Sequence, residues 1–261
     1  MRRAMTDRSA IDLNCDLGED ASEEGARREA AVLEFVSSIN VACGMHAGDA
    51  HVMRGIMQAA VARGIAIGAH PSFADREHFG RRELPVTSEQ AYELVTYQLG
   101  AAEAIARAAG ARLNHVKPHG ALYNMAARDA ALAGAIARAV RDFDSGLVLY
   151  GLSGSALIAA AEANGLTSAA EVFADRTYRA DGSLTSRSRA DALITDEELA
   201  VAQVLAMVAD GKVRSVDGSV VEVRPDTVCI HGDQPRAPAF AARLRRSLES
   251  KGVKVRPILR A

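Results

Sequence analysis

Short apolar runs alternate along the chain with longer Ala-rich stretches whose apolar positions recur at helical spacing. The runs cover residues 11–17, 39–45, 65–69, 113–116, 147–150, 169–173 and 227–231. Between them the periodicity predicts helices over 24–37, 49–63, 88–109, 129–142, 154–164, 196–210 and 236–250. Thr87-Ser88-Glu89-Gln90 and Thr195-Asp196-Glu197-Glu198 are start signals, and Gly64, Gly110, Gly165, Gly211 and Gly252 stand where five of these helices should stop. Alternation of this kind builds a parallel sheet with helical crossovers. Seven strand–helix units are legible. An eighth strand candidate lies at 253–255, and residues 212–223 read as a β-hairpin insertion turning at Asp217-Gly218.

Polar residues at alternate strand positions favour a closed barrel over an open sheet. No G-x-G-x-x-G follows the first strand, so the fingerprint of an open dinucleotide-binding sheet is missing. In the first strand, Ile11, Leu13, Cys15 and Leu17 share one face while Asp12, Asn14 and Asp16 share the other. A parallel strand covered by helices is apolar outside, so the polar side chains must point inward. Buried carboxylates are costly there unless they meet cations, donors or substrate. The same parity sets Asn40 with His46, Gly68 with His70, His115 with Lys117 and His119, and Glu171 with Phe173 and Asp175; the last strand ends in His231-Gly232-Asp233. Five of the seven histidines fall in or just after strands, and in βα barrels the C-terminal strand ends carry the active site. The expectation is one TIM-like α/β barrel domain over residues 1–261, with 1–9 a disordered tail.

Several chemistries fit these residues. Asp12, His46 and His70 could ligate a zinc-like ion with one position open for water, while metal-free, hydrogen-bonded histidines are the plainer alternative. The calcium-loop spacing of Asp12, Asn14 and Asp16 has Leu17 where a sharp turn needs glycine, and the run reads as a strand. Lys117 could pair with Asp12 or Glu171 and stabilise an oxyanion or hold a phosphate. Asp175-Arg176, with Arg187 in the following loop, could clamp a substrate carboxylate. Gly151-Leu152-Ser153-Gly154-Ser155 nearly matches a nucleophile elbow but reads better as a tight turn that could touch an anion. Phe79-Gly80-Arg81-Arg82 reads as a lid loop, and Cys15, Cys43 and Cys229 as small core residues.

Composition narrows the partners. The 261 residues are 49% hydrophobic and 25% charged, with a formal net charge of −2. No basic field draws the chain to nucleic acid or anionic membrane. Aromatics are 4% with no Trp, which argues against stacking platforms for bases. Three cysteines make no disulfide framework. No apolar run reaches the ~18 residues of a membrane span, and the first eight residues lack the apolar core of a secretion signal. A cytoplasmic protein acting on a small molecule is the expectation, with no P-loop to hold a nucleotide.

Seven blocks in order, spanning nearly the whole chain, resemble the LamB/YcsF family, the A subunit of bacterial ATP-dependent 5-oxoprolinase. They are Asp12-Leu-Asn-Cys-Asp-Leu-Gly-Glu19, Asn40-Val-Ala-Cys-Gly-Met-His-Ala-Gly-Asp49, Gly68-Ala-His-Pro-Ser72, Phe79-Gly-Arg-Arg82, Val116-Lys-Pro-His-Gly-Ala-Leu-Tyr-Asn124, Phe173-Ala-Asp-Arg-Thr-Tyr178 and His231-Gly-Asp233. The resemblance implies a seven-stranded (β/α)7 barrel of the glycoside hydrolase/deacetylase type. It also implies opening of the lactam of 5-oxoproline with water and ATP (as its magnesium complex) to give glutamate, ADP and phosphate, together with subunits B and C. Within that reading Asp12 or Glu171 is the base, Lys117 and His119 face the oxyanion or phosphate, and Arg176 takes the substrate carboxylate. Asn14, Asn40, Asp175, His231 and Asp233 line the pocket, with His46 and His70 there or on a divalent metal. Two other readings compete: a metal-dependent amide hydrolase or carbohydrate deacetylase that needs no ATP, and a non-catalytic subunit that only binds a ligand. The charged stretch 20–28, Met45 and Ala50 depart from the family pattern and leave the shape of the first loop open.

Overall fold

In the computed structural model, which describes residues 9–20, 22–232 and 236–261, seven parallel strands close on themselves. These are β1 (Ala10–Leu17), β2 (Ser38–Ala42), β3 (Ala66–His70), β4 (His115–Val116), β5 (Val148–Leu152), β6 (Thr167–Phe173) and β9 (Thr227–His231), and β9 returns to pair with β1. Helices α1 (Glu23–Val32), α2 (Ala50–Val61), α3 (Ser88–Ala108), α4 (Gly120–Arg128), α5 (Ala130–Phe143), α6 (Ala156–Ala163), α7 (Glu197–Asp210) and α8 (Ala237–Ser250) connect the strands. The barrel and its seven units are those the alternation predicts. The hairpin insertion is present too, as β7 (Lys212–Arg214) against β8 (Val220–Glu222). Among the described residues no helix is long and apolar enough to cross a membrane.

Capping explains where the helices begin. Thr87 and Gln90 form a reciprocal capping box on α3, Asp49 caps α2, Asp196 caps α7 and Ser155 caps α6. Helix α4 is absent from the sequence expectation, because Pro118-His119-Gly120 reads as loop punctuation. Its buried residues Ala121, Leu122, Tyr123 and Ala126 tuck it over the lumen ahead of α5. Strand β2 ends at Ala42, short of the expected residue 45, since Gly44 turns the chain at φ +86°. His46 therefore reaches the site from a loop.

The lower end of the barrel is sealed. Strand β10 (Lys254–Val255) pairs in parallel with Ala10 and Ile11, and the following segment crosses beneath the lumen. Ile258 packs against Val148, Tyr150 and Ala169, and its carbonyl accepts from Asn114. The expected tail is correspondingly shorter at its end: the Ser9 carbonyl accepts from the Lys254 amide, while residues 1–8 lie outside the described ones.

Register aligns the inward residues. Asp16 lies beside Asn40 on β2 and His231 on β9; Gly68 lies between Asn40 and His115. A Cβ on Gly68 would sit 2.2 Å from His115 Nε2, and that ring is held by stacking on Tyr150 and by its bond to Asn40. Gly68→Ala is thus expected to lower stability by about 1–3 kcal/mol. Urea denaturation would show it as a lower midpoint at unchanged slope.

Candidate active site

Lys117 stands at the centre of the lumen. Its Nζ donates to Asp16 Oδ1 (2.9 Å), lies 2.8 Å from Glu171 Oε1, and reaches Asn14 Oδ1 at 3.3 Å and Cys229 Sγ at 3.0 Å. Burial works against the ammonium, but Asp16 and Glu171 outweigh it and hold the pKa well above the ordinary value. The two carboxylates differ in what they have left to offer. Glu171 accepts from Asn14 Nδ2 (3.0 Å), Lys117 and the Tyr123 hydroxyl (2.8 Å), so both its oxygens are engaged. Asp16 Oδ1 takes Asn40 Nδ2 (2.8 Å) and Lys117, leaving Oδ2 turned toward His70 Nε2 at 3.4 Å. Burial raises the Asp16 pKa, yet His70 and Lys117 pull it well below the usual carboxylate range.

Beneath this layer the polar groups satisfy one another. Asp12 accepts from Ser37 (2.7 Å), Ser38 (2.6 Å), Thr227 (2.6 Å) and Tyr150 (3.0 Å), and burial still raises its pKa. Four hydroxyls and the sealed floor keep it from Lys117, His46 and His70. Asp12 is therefore neither the third ligand of that histidine pair nor a base within reach of water, as strand parity alone suggests. His115 donates Nε2–H to Asn40 Oδ1 (2.8 Å) and stacks on Tyr150 at 4.2 Å; burial pushes its pKa down to about 3.

Above Lys117, Glu19 takes the place expected for Asp12. Its Oε1 lies 3.0 Å from His46 Nε2, 3.1 Å from His119 Nδ1 and 3.8 Å from His70 Nε2. Burial opposes its ionisation, but His119 and His46 beside it prevail and depress its pKa. The carboxylate is aimed by Glu29 of α1, which accepts the backbone amides of Gly18 (3.0 Å) and Glu19 (3.2 Å). Thus α1 supplies a support for the first loop. The ligand atoms of Glu19, His46, His70 and His119 all lie within 4.8 Å of one another, as do those of Asp16, Cys229 and His231.

The Phe79–Gly80 turn rests on these histidines. Phe79, at φ +56°, offers its carbonyl to His119 Nε2 (2.9 Å), and the Gly80 carbonyl accepts from Ala121. A Cβ on Gly80 would come within 2.2 Å of Ser72 Oγ and 2.9 Å of His46 Cβ, so only glycine lets the turn close over the cluster.

At the rim, His231 Nδ1 lies 2.8 Å from Asp175 and its Nε2 2.9 Å from Arg187 Nη2. Arg176 does not join them. It is buried, and its guanidinium donates to the carbonyls of Ala192 (3.3 Å) and Thr185 (2.6 Å), tying down its own loop. Burial lowers its pKa to about 10. The expected carboxylate clamp at Arg176 is thus a loop anchor, while Arg187 reaches the mouth. Asp233 lies outside the described residues. Ser153 accepts the Arg224 amide (2.7 Å) and Ser155 caps α6, so the Gly151–Ser155 turn serves structure.

Strand parity places Asn14, Asn40, Lys117 and Glu171 together, and the structure brings them together. It misses Glu19 as a site residue, although that residue closes the first of the seven blocks. It also leaves Cys229 as plain core, whereas Thr227, Cys229 and His231 share the inward parity that flags the other strands.

Comparison with known proteins fits this geometry. A protein of Bordetella parapertussis, named as the A subunit of 5-oxoprolinase, is 59% identical over 246 residues, 94% of this chain and 98% of its own length. One of Tolumonas auensis with the same name is 54% identical over 94% of this chain and 98% of its own. The crystal structure of a lactam utilization protein from Thermus thermophilus superposes with a TM-score of 0.86 at 44% identity, covering 95% of this chain and all of that one. The LamB/YcsF family model matches residues 11–261, and the chain belongs to that family.

Proposed function

We propose that this chain is the A subunit of an ATP-dependent 5-oxoprolinase, opening the lactam of 5-oxo-L-proline to L-glutamate together with subunits B and C. The observation that carries the reading is an ammonium, Lys117, clamped between Asp16 and Glu171 under the open end of the barrel. Relatives more than half identical over nearly their whole length are named for this activity.

A five-membered lactam is a poor electrophile, and coupling to ATP makes its carbonyl carbon open to water. The γ-phosphoryl group of ATP passes to the lactam oxygen and ADP leaves. Water then adds to the carbon, the ring C–N bond breaks as the nitrogen takes a proton, and hydrolysis of the acyl phosphate so formed releases phosphate and glutamate. Lys117 stabilises the oxyanion or the phosphate on the lactam oxygen. Asp16, whose Oδ2 is the carboxylate oxygen left facing the mouth, takes the proton from water. Glu171, with both oxygens engaged, keeps Lys117 in place. His119 has its Nε2 tied to Phe79 and its Nδ1 beside Glu19, so it has no N–H to offer an oxyanion. Arg187 takes the substrate carboxylate, with Asp175 and His231 beside it.

Mixing the purified chain with 5-oxoproline and ATP-Mg²⁺, with and without B and C, and measuring glutamate and phosphate tests this. Glutamate formed only with both partners and ATP supports the proposal; its absence from well-folded proteins in every combination rejects it. Arg187→Ala should raise KM for 5-oxoproline about 10- to 100-fold while kcat changes little, the cost of losing a charge-assisted pair worth roughly 1.5–3 kcal/mol.

A further inference from the structure

We propose that Glu19, His70 and His119 form a site for one divalent transition-metal ion of zinc-like ligand preference at the mouth of the barrel. Hydrogen bonding carries the inference. His70 Nδ1 lies 2.7 Å from the Lys117 carbonyl and His119 Nε2 lies 2.9 Å from the Phe79 carbonyl. A carbonyl can only accept, so these nitrogens carry the hydrogens. In the neutral imidazoles the lone pairs then fall on His70 Nε2 and His119 Nδ1, which face each other at 2.9 Å. Glu19 Oε1, an acceptor itself, lies 3.1 Å from one and 3.8 Å from the other. With both rings neutral, no hydrogen lies between His70 Nε2 and His119 Nδ1, and Glu19 Oε1 beside them receives only the His46 Nε2–H, an arrangement that a cation resolves.

The dimensions suit such an ion. Bonds of about 2.0–2.1 Å in a tetrahedral site set ligand atoms about 3.3 Å apart. An imidazole tied by its far N–H to a backbone carbonyl is the usual second-sphere arrangement of a metal-bound histidine. The ring planes of His70 and His119 stand at 84°, so their in-plane lone pairs can meet at one point. His46 is stacked on His119 at 3.8 Å with planes 5° apart, and its lone pair runs alongside rather than converging. It holds Glu19 through Nε2 instead, while its Nδ1 is buried without a partner. Three ligands leave a position for a water or a substrate oxygen, as in catalytic sites. The Asp16–Cys229–His231 group is excluded, since the Lys117 ammonium already lies 3.0 Å from Cys229 and 2.9 Å from Asp16.

The inference stands apart from the reaction, because binding is measured without turnover. The competing occupant is a single proton bridging His70 and His119. The full-length chain, stripped with chelator and desalted, is titrated with Zn²⁺ by calorimetry and with Co²⁺ by visible absorption, and its metal content is measured after gel filtration. The expected result is saturation at one ion per chain and the intense d–d bands of low-coordinate Co²⁺. His119→Ala and the conservative Glu19→Gln should weaken binding at least 100-fold, and His46→Gln about 10- to 100-fold as a positioning residue. No heat, no retained metal and no cobalt bands from the folded wild-type chain would overturn the site in favour of the proton. So would binding that survives Glu19→Gln and His119→Ala but is lost in Cys229→Ser.

Discussion

Replacing Lys117 with Met in the assembled enzyme is expected to cut glutamate formation by about 10²–10³-fold, the usual loss when one preorganised donor to a developing oxyanion is removed. The same change should cost the folded chain about 3–5 kcal/mol, because it strands Asp16 and Glu171 as buried carboxylates without their shared counter-ion. The two effects separate in the double variant Lys117→Met/Glu171→Gln. Neutralising Glu171 returns part of the stability in urea denaturation but none of the turnover. Recovery of turnover in the double variant would show that Lys117 only balances charge.

Acid should weaken the fold well before its carboxylates titrate. Burial pushes the pKa of both His46 and His115 down to about 3, against about 6.5 in an unfolded chain. A group whose pKa is lower folded than unfolded contributes stability that is fully present above the unfolded value and is lost as pH falls, because the unfolded chain binds the proton first. Each imidazole therefore costs about 1.4 kcal/mol per pH unit between roughly pH 6.5 and 3, and the pair about 2.7. Asp16 and Asp175, with depressed pKa values, withdraw their contributions only below about pH 4. His70, raised mainly by Asp16 against burial, acts in the opposite sense and above pH 6.5. Urea denaturation of chelator-treated protein at pH 6.5 and 5.0 isolates the window. His119, also lowered by burial, adds in the same sense. A stability that stays flat there would show that these imidazoles are not buried neutral, and His115→Gln should reduce the slope by about 1.4 kcal/mol per pH unit.

The barrel was legible because period-two polarity and helix punctuation agree along the chain. Asn14, Asn40, Lys117 and Glu171 were legible for the same reason, since each sits on the inward parity of its strand. Parity could not say how high in the lumen a residue stands. Asp12 and Asp16 share a face, yet Asp12 meets Ser37, Ser38, Thr227 and Tyr150 near the floor while Asp16 meets Lys117. Nor does parity extend past a strand's end. His46 and Glu19 come from loops whose course depends on Gly44 and on the amides that Glu29 holds. Arg176 failed for a third reason: its neighbours in sequence gave no sign that two carbonyls of the following loop would claim its guanidinium.

Among the described residues, the segment that crosses beneath the barrel leaves the lumen one door. With Ile258 against Val148, Tyr150 and Ala169, and Asp12 sealed behind Tyr150, reactant and product must pass the same rim of Glu19, Arg187 and His231. A partner protein seated on that rim would turn a well into a closed chamber, and its departure would set when product leaves. Traffic through such a molecule is one-way only in time: entry, closure, chemistry and exit share one opening, so whatever covers it governs the whole cycle.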